Sequence, residues 1–241
     1  MPFARLALYN KNFTKSNKHC KIFIVMEKGN LILVSGVDGV GKTTTLNALR
    51  DSHESVVISE PTSTPESKQF KSKNMQTLIT DEFIDEREIF YKSLQGYTDI
   101  NLRSHLDQGY TVATSGSRLV TLVSHNTMRR ILGHDVDQSY PFEVFNCDVD
   151  CLGIDTLVLL CAPIETIGSR LRKRFDDGDR TEKIWGFNSL YFLEHYQNAW
   201  VNTAKYVQET TDLPVLKFDT SIDNPETIAK GIGKALGLSN Q

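Results

Sequence analysis

Cysteine is scarce in this chain: Cys20, Cys147, Cys151 and Cys161 are the only four among 241 residues. That is too few for the disulfide scaffold of a small secreted protein, and it suits a reducing cytoplasm. Cys147 and Cys151 stand three residues apart, but no second Cys or His pair follows at zinc spacing. Cys161 ends an apolar run and reads as a small buried residue. Long hydrophobic runs are missing too: a stretch such as Leu157 to Ala162 is far below the roughly 20 residues of a membrane span. Neither sign of charge dominates, since 27 Lys and Arg against 30 Asp and Glu leave a net charge of -3. No basic field therefore points to nucleic acid or an anionic membrane. Internal repeats and low-complexity linkers are also lacking. The remainder, 39% hydrophobic and 24% charged, is the balance of a soluble globular chain.

Acidic residues are absent before Glu27, while Arg5, Lys11, Lys15, Lys18 and Lys21 occupy the same stretch. No secretory-type apolar segment follows them, so export is not expected. Residues 1–25 read as a dispensable basic tail, with an organelle-targeting leader as the alternative. Residues 26–241 read as one domain. There, short apolar runs alternate with longer amphipathic ones. Leu31–Val34, Val56–Ile58, Thr111–Thr114, Thr156–Leu160 and Val215–Phe218 predict strands. Thr43–Ser52, Met75–Tyr91, Tyr97–Gln108, Val120–Leu132, Glu165–Phe175, Ser189–Thr210 and Pro225–Leu236 predict helices. Such alternation implies an α/β fold in three layers, a five-stranded parallel sheet flanked by helices. Between His134 and Leu152 the chain is irregular and acidic without EF-hand spacing, which suggests a solvated insertion.

One motif is complete. Gly36-Val37-Asp38-Gly39-Val40-Gly41-Lys42-Thr43 fits the G-x-x-x-x-G-K-[ST] pattern, with an apolar strand before it and a helix-forming run from Thr44 after it. Glycines let consecutive N–H groups turn inward around phosphate oxygens, and the following helix adds positive potential. In this P-loop, Lys42 is the expected partner of the β and γ phosphates, and the Thr43 hydroxyl the expected magnesium ligand. Gly36 through Thr44 are thus the candidate triphosphate-binding residues.

Three features favour transfer to an acceptor over hydrolysis. Asp38 puts a carboxylate inside the loop. Glu60, in Ser59-Glu60-Pro61-Thr62, brings another to the edge of the sheet where ligands bind in open α/β folds. Arg170, Arg172, Lys173, Arg174 and Arg180 make a basic helix and loop, a candidate lid whose arginines can stabilise charge on a transferring phosphoryl group. Arg170 and Arg174 are four apart and share a helix face.

Together these residues resemble the thymidylate kinase family of nucleoside monophosphate kinases, from about Asn30 to Leu236. Gly36-Val-Asp38-Gly-Val-Gly-Lys-Thr-Thr44 resembles the family's acid-containing phosphate loop, and Glu60-Pro61 its Arg-Glu-Pro element. Ser117-Arg118 falls where its Asp-Arg-Tyr motif stands, and Arg170, Arg174 and Asp179-Arg180-Thr-Glu182 resemble its lid. The resemblance implies ATP with Mg2+ as donor, dTMP as the default acceptor (or a modified nucleotide), and a homodimer. It assigns Lys42, Arg118, Arg174 and Arg180 to catalysis, Asp38, Glu60, Phe90 and Arg118 to the acceptor, and Thr43 and Glu60 to the metal. Departures gather on the acceptor side. Ser59 replaces an arginine, Ser117 and Leu119 the aspartate and tyrosine of Asp-Arg-Tyr, and Leu94 a base-contacting arginine. Leu122 and His125-Asn126-Thr127 also differ from the family pattern. A non-catalytic ATP-binding regulatory module is the rival reading, motivated by Ser59 and Ser117. A triphosphate hydrolase switch is weaker, because the sequence has no guanine-reading N-K-x-D stretch.

Overall fold

A computed structural model describes residues 28–60, 99–136, 153–177 and 190–238 of the chain. Five strands run through them: β1 (Leu31–Ser35), β2 (Val56–Ile58), β3 (Thr111–Thr114), β4 (Ile154–Cys161) and β5 (Val215–Asp219). All pair in parallel, in the order β2-β3-β1-β4-β5. The centre is β1, where Leu33 pairs with Thr114 on one side and Leu157 on the other. Every residue of β1 is buried, because a central parallel strand is covered on both faces.

Six helices supply the cover among the described residues. They are α1 (Lys42–Ser52), α2 (its described part spanning 99–107), α3 (Arg118–Ile131), α4 (Ile164–Asp176), α5 (Leu190–Thr210) and α6 (Pro225–Leu236). Helix α1 packs on α6, while α5 receives both α3 and α4. Phe192, Tyr196 and Trp200, each a helical turn apart on α5, carry its buried face into the core. The same helix finishes the sheet: the Gln197 amide donates to the Ala162 carbonyl and accepts from its N–H, just past the end of β4.

The predicted strands and helices are found, with ends shifted by a residue or two. The helix expected over Met75–Tyr91 lies outside the described residues, as do residues 1–25. Helix α3 begins at Arg118, two residues earlier than its apolar pattern suggests, because the Ser117 hydroxyl accepts from the Val120 N–H and caps it. Strand β4 begins earlier too. Asp155 lies within it, accepting from the Leu31 N–H at 2.7 Å and tying the starts of β1 and β4 together. That is the edge away from ligands, and the role is structural. Cys161 is half-buried, and burial pushes its thiol pKa up. Cys20, Cys147 and Cys151 lie outside the described residues.

The α1–α6 contact is close enough to reverse an ordinary rule. A Cβ on the buried Gly233 would meet the imidazole of the fully buried His53 at 2.4 Å. Gly→Ala within a helix commonly stabilises by about 1 kcal/mol. Here Gly233→Ala should instead destabilise by about 1–3 kcal/mol through overpacking. Denaturant unfolding checks this, and a raised midpoint would contradict the packing described.

Candidate functional site

The turn between β1 and α1 is built by its glycines. Gly36, Gly39 and Gly41 have φ of 134°, 81° and 109°, in the region that L side chains rarely adopt. Gly39 also permits a close approach, since a Cβ there would sit 2.7 Å from the Leu171 side chain of α4. Between the glycines, Val37 and Val40 are fully buried and anchor the turn in the core. Asp38 alone points outward. The Lys42 ammonium folds back over the turn, donating to the Gly36 and Val37 carbonyls at 2.9 Å each and pairing with the Asp38 carboxylate at 3.1 Å. Thr43 and Thr44 are exposed in the first turn of α1, where backbone N–H groups have no intrahelical partner. A turn of this form, at a helix N-terminus beside a lysine, is a phosphate-binding cradle.

Next to it, the ends of β2 and β3 are joined by side chains. The Glu60 carboxylate accepts from the Ser115 N–H at 3.1 Å and from the Ser115 hydroxyl at 3.0 and 2.9 Å. Burial pushes the Glu60 pKa above its usual 4.5, although both Ser115 bonds and the Lys42 charge pull it down. The structure thus groups Lys42, Asp38 and Glu60 at one edge of the sheet, where the strand order reverses on either side of β1. Ser115 is a member of this group that the sequence reading missed. Its place just past a strand's C-terminal end is the signal that could have found it.

On the other side of the cradle lies a cleft of about 590 Å³. Gly39, Val40, Gly41, Thr44 and Thr45 line it from the turn and α1, and Lys173, Arg174 and Asp177 from α4 and its end. Residues 220–225, between β5 and α6, close it opposite α4. Arg174 therefore shares a cleft with the cradle. Arg170 is already engaged. Its guanidinium donates to the Val40 carbonyl and to both the hydroxyl and the carbonyl of Thr220. Phe90, Leu94 and Arg180 lie outside the described residues, and so does the Arg118 side chain, although the Arg118 backbone starts α3.

At the end of β2 and on α3, the described residues that depart from the resembled pattern are interior ones. Ser59 and Leu119 are fully buried, and Leu122, His125, Asn126 and Thr127 nearly so. Ser117 is engaged as the α3 cap.

The cradle, its lysine and the parallel β2-β3-β1-β4-β5 order define the P-loop NTPase fold in the form found in nucleoside and nucleotide kinases. Solved structures with this fold include the thymidylate kinase of Ehrlichia chaffeensis, with TM-score 0.60 and 15% identity over 87% of this chain and 99% of that one. The thymidylate kinase of Candida albicans follows at TM-score 0.58 and 14% identity, over 87% of this chain and 92% of its own. A deoxyadenosine kinase from M. mycoides with bound dATP matches at TM-score 0.54 and 17% identity, over 86% and 99%. No family model matches the sequence. No curated protein matches it either. Among the described residues, no helix is long and apolar enough to cross a membrane.

The raised Glu60 pKa has a sign that can be checked. The folded chain holds a proton on Glu60 that the unfolded chain has already released, so stability contributed there falls as pH rises from below 4.5 through the folded value. Relative to wild type, Glu60→Gln should therefore gain stability with rising pH across that window and level off above it. Urea unfolding of both proteins between pH 4 and about 7 measures the difference. A pH-independent difference would mean that Glu60 is not held in the surroundings described.

Proposed function

We propose that the chain is an ATP-dependent phosphotransferase that moves the γ-phosphate of ATP to a nucleoside monophosphate, with dTMP as the default acceptor and a modified nucleotide as its variant. The observation that carries this reading is the juxtaposition at one sheet edge of a phosphate cradle with its lysine, a carboxylate at the end of β2, and a cationic cleft wall on α4. A triphosphate switch needs only the first of these. Among the solved structures, the thymidylate kinases by name support a nucleoside monophosphate acceptor, whereas the deoxyadenosine kinase supports only the wider class of nucleoside and nucleotide acceptors.

The loop opposite α4 is held in shape by its own backbone. Its N–H groups are engaged within the fold: Thr220 donates to the Cys161 carbonyl, Ser221 to the Asp219 carboxylate, and Ile222 and Asp223 to the Asp219 carbonyl. The Ser221 bonds hold the Asp219 pKa down, the hydroxyl's bond most strongly.

The residues fit magnesium as a partner of the bound nucleotide. Thr43 offers an exposed hydroxyl and Glu60 a carboxylate, hard oxygen ligands of the kind magnesium takes alongside phosphate oxygens and water. When bound, the ion neutralises charge between the β and γ phosphates. In the reaction, an oxygen of the acceptor phosphate bonds to the γ-phosphorus as the bond from that phosphorus to the β–γ bridging oxygen breaks, and ADP leaves. The acceptor phosphate is already nucleophilic at neutral pH, so positioning and charge neutralisation carry the catalysis. Lys42 swings from the loop carbonyls to the β and γ oxygens, and Arg174 closes from the α4 side. By resemblance, Arg118 bridges donor and acceptor, Arg180 completes the lid, Phe90 faces the acceptor base, and Asp38 holds an acceptor hydroxyl. Resemblance alone also supports a homodimer, and the scarcity of cysteine supports the cytoplasm.

A fully buried Ser59 cannot reach an acceptor phosphate as an arginine would, and Ser117 is engaged as a cap. These two facts favour a second reading, an ATP-binding regulatory module. ADP release with ATP and magnesium, measured across a panel of nucleoside monophosphates with products identified by mass, separates the two. Formation of dTDP supports the default, and activity on another monophosphate supports altered specificity. ATP binding without transfer to any acceptor would replace the kinase reading with the regulatory one. Within the kinase reading, Lys42→Ala and Arg174→Ala should each lower transfer by about 100-fold or more while leaving the fold intact, as circular dichroism would show. Normal turnover in both would refute the assignment.

A further inference from the structure

Arg170 stands on the basic helix but points its guanidinium away from the expected task. One Nη donates to the Val40 carbonyl at 3.3 Å and to the Thr220 hydroxyl at 2.9 Å, and the other donates to the Thr220 carbonyl at 2.7 Å. The Thr220 hydroxyl in turn donates to the Val40 carbonyl at 2.7 Å. Three separate segments meet at this point: the phosphate turn through Val40, helix α4 through Arg170, and the loop after β5 through Thr220. Residues 40, 170 and 220 are far apart in sequence, and no backbone ladder joins the three segments. The same three segments form the floor and two walls of the 590 Å³ cleft.

Charge assistance makes such bonds stronger than neutral ones, and the planar fork of arginine can serve several acceptors in one fixed geometry. Lysine cannot reproduce it with a single nitrogen. Fixing the Val40 carbonyl also fixes the peptide leading into Gly41, hence the direction of the neighbouring N–H groups that face phosphate. Fixing Thr220 sets how far the loop stands from Lys173 and Arg174, one turn along α4 from Arg170.

We infer that Arg170 and Thr220 are positioning residues that lock the donor cleft at its nucleotide-binding width, so that they govern affinity for the triphosphate donor and not for the acceptor. This rests on the proposal that the cleft takes ATP, and the experiment separates the two ideas. Titration calorimetry of ATP with magnesium on the full chain compares wild type with Thr220→Val, which keeps the shape and removes the hydroxyl, and Thr220→Ser, which restores it. Thr220→Val should weaken ATP binding by about tenfold, because it removes the shorter of the two bonds to the Val40 carbonyl and one acceptor of Arg170, while Thr220→Ser stays within about twofold of wild type. Arg170→Lys should weaken binding in the same direction and serves if Thr220→Val does not fold. In turnover assays of the affected variant, KM for ATP should rise while KM for the acceptor holds, a split that general destabilisation would not produce. ATP affinity in a folded Thr220→Val or Arg170→Lys equal to wild type would overturn the inference and leave the donor reading standing. Failure of wild type itself to bind ATP would overturn the donor reading, and the inference with it.

Discussion

A phosphate cradle is a turn without a hydrogen-bond ladder of its own, so its shape must be imposed from outside. In this chain the imposition comes from three sides. Val37 and Val40 sink into the core, the Lys42 ammonium grips two carbonyls of the turn, and Thr220 with Arg170 hold a third. The parallel sheet makes this possible. It places the C-terminal ends of β1, β4 and β5 side by side, so a carbonyl after β1 comes within reach of a side chain after β5, although 180 residues separate Val40 from Thr220. The close seat of α4 at Gly39 follows from the same arrangement, because any side chain there would push the helix off the turn.

Charge is organised around that turn by burial as much as by pairing. Lys42 is mostly covered, whereas its partner Asp38 is largely exposed, so their pair is a loose surface contact and the stronger hold on the ammonium comes from backbone carbonyls. Glu60 is the reverse case. It is half-buried, bound twice by Ser115, and pushed towards its neutral form by desolvation.

The two halves of the site differ in how they are made. The donor half consists of backbone, glycine and a few long cationic side chains, and its pattern matches the P-loop fold at every fixed position. The proposed acceptor half draws on the ends of β2 and β3 and on α3, and there buried or structurally engaged residues stand where the pattern it resembles has charged ones. Ser117 shows the trade in one residue. As the cap of α3 it satisfies a helix N–H that an aspartate could also satisfy, but it brings no charge to the sheet edge.

The sequence alone determined the fold class, because alternation of short apolar runs with amphipathic stretches admits few arrangements. It also identified Lys42, Thr43, Asp38 and Glu60 as neighbours of one edge, since residues just after parallel strands must gather there. Helix ends were less legible. Capping by Ser117 and the early start of β4 at Asp155 depend on single hydrogen bonds that leave no periodic trace. What only the tertiary structure decided was how each charged side chain is used. Arg170 and Arg174 look alike in sequence, one turn apart on one helix, and both line the cleft, but nothing in that spacing foretells that Arg170 binds the carbonyls of two distant loops. Periodicity tells which face a residue shares, whereas the partner that meets it there is set by how remote segments pack, and that is a property of the folded chain.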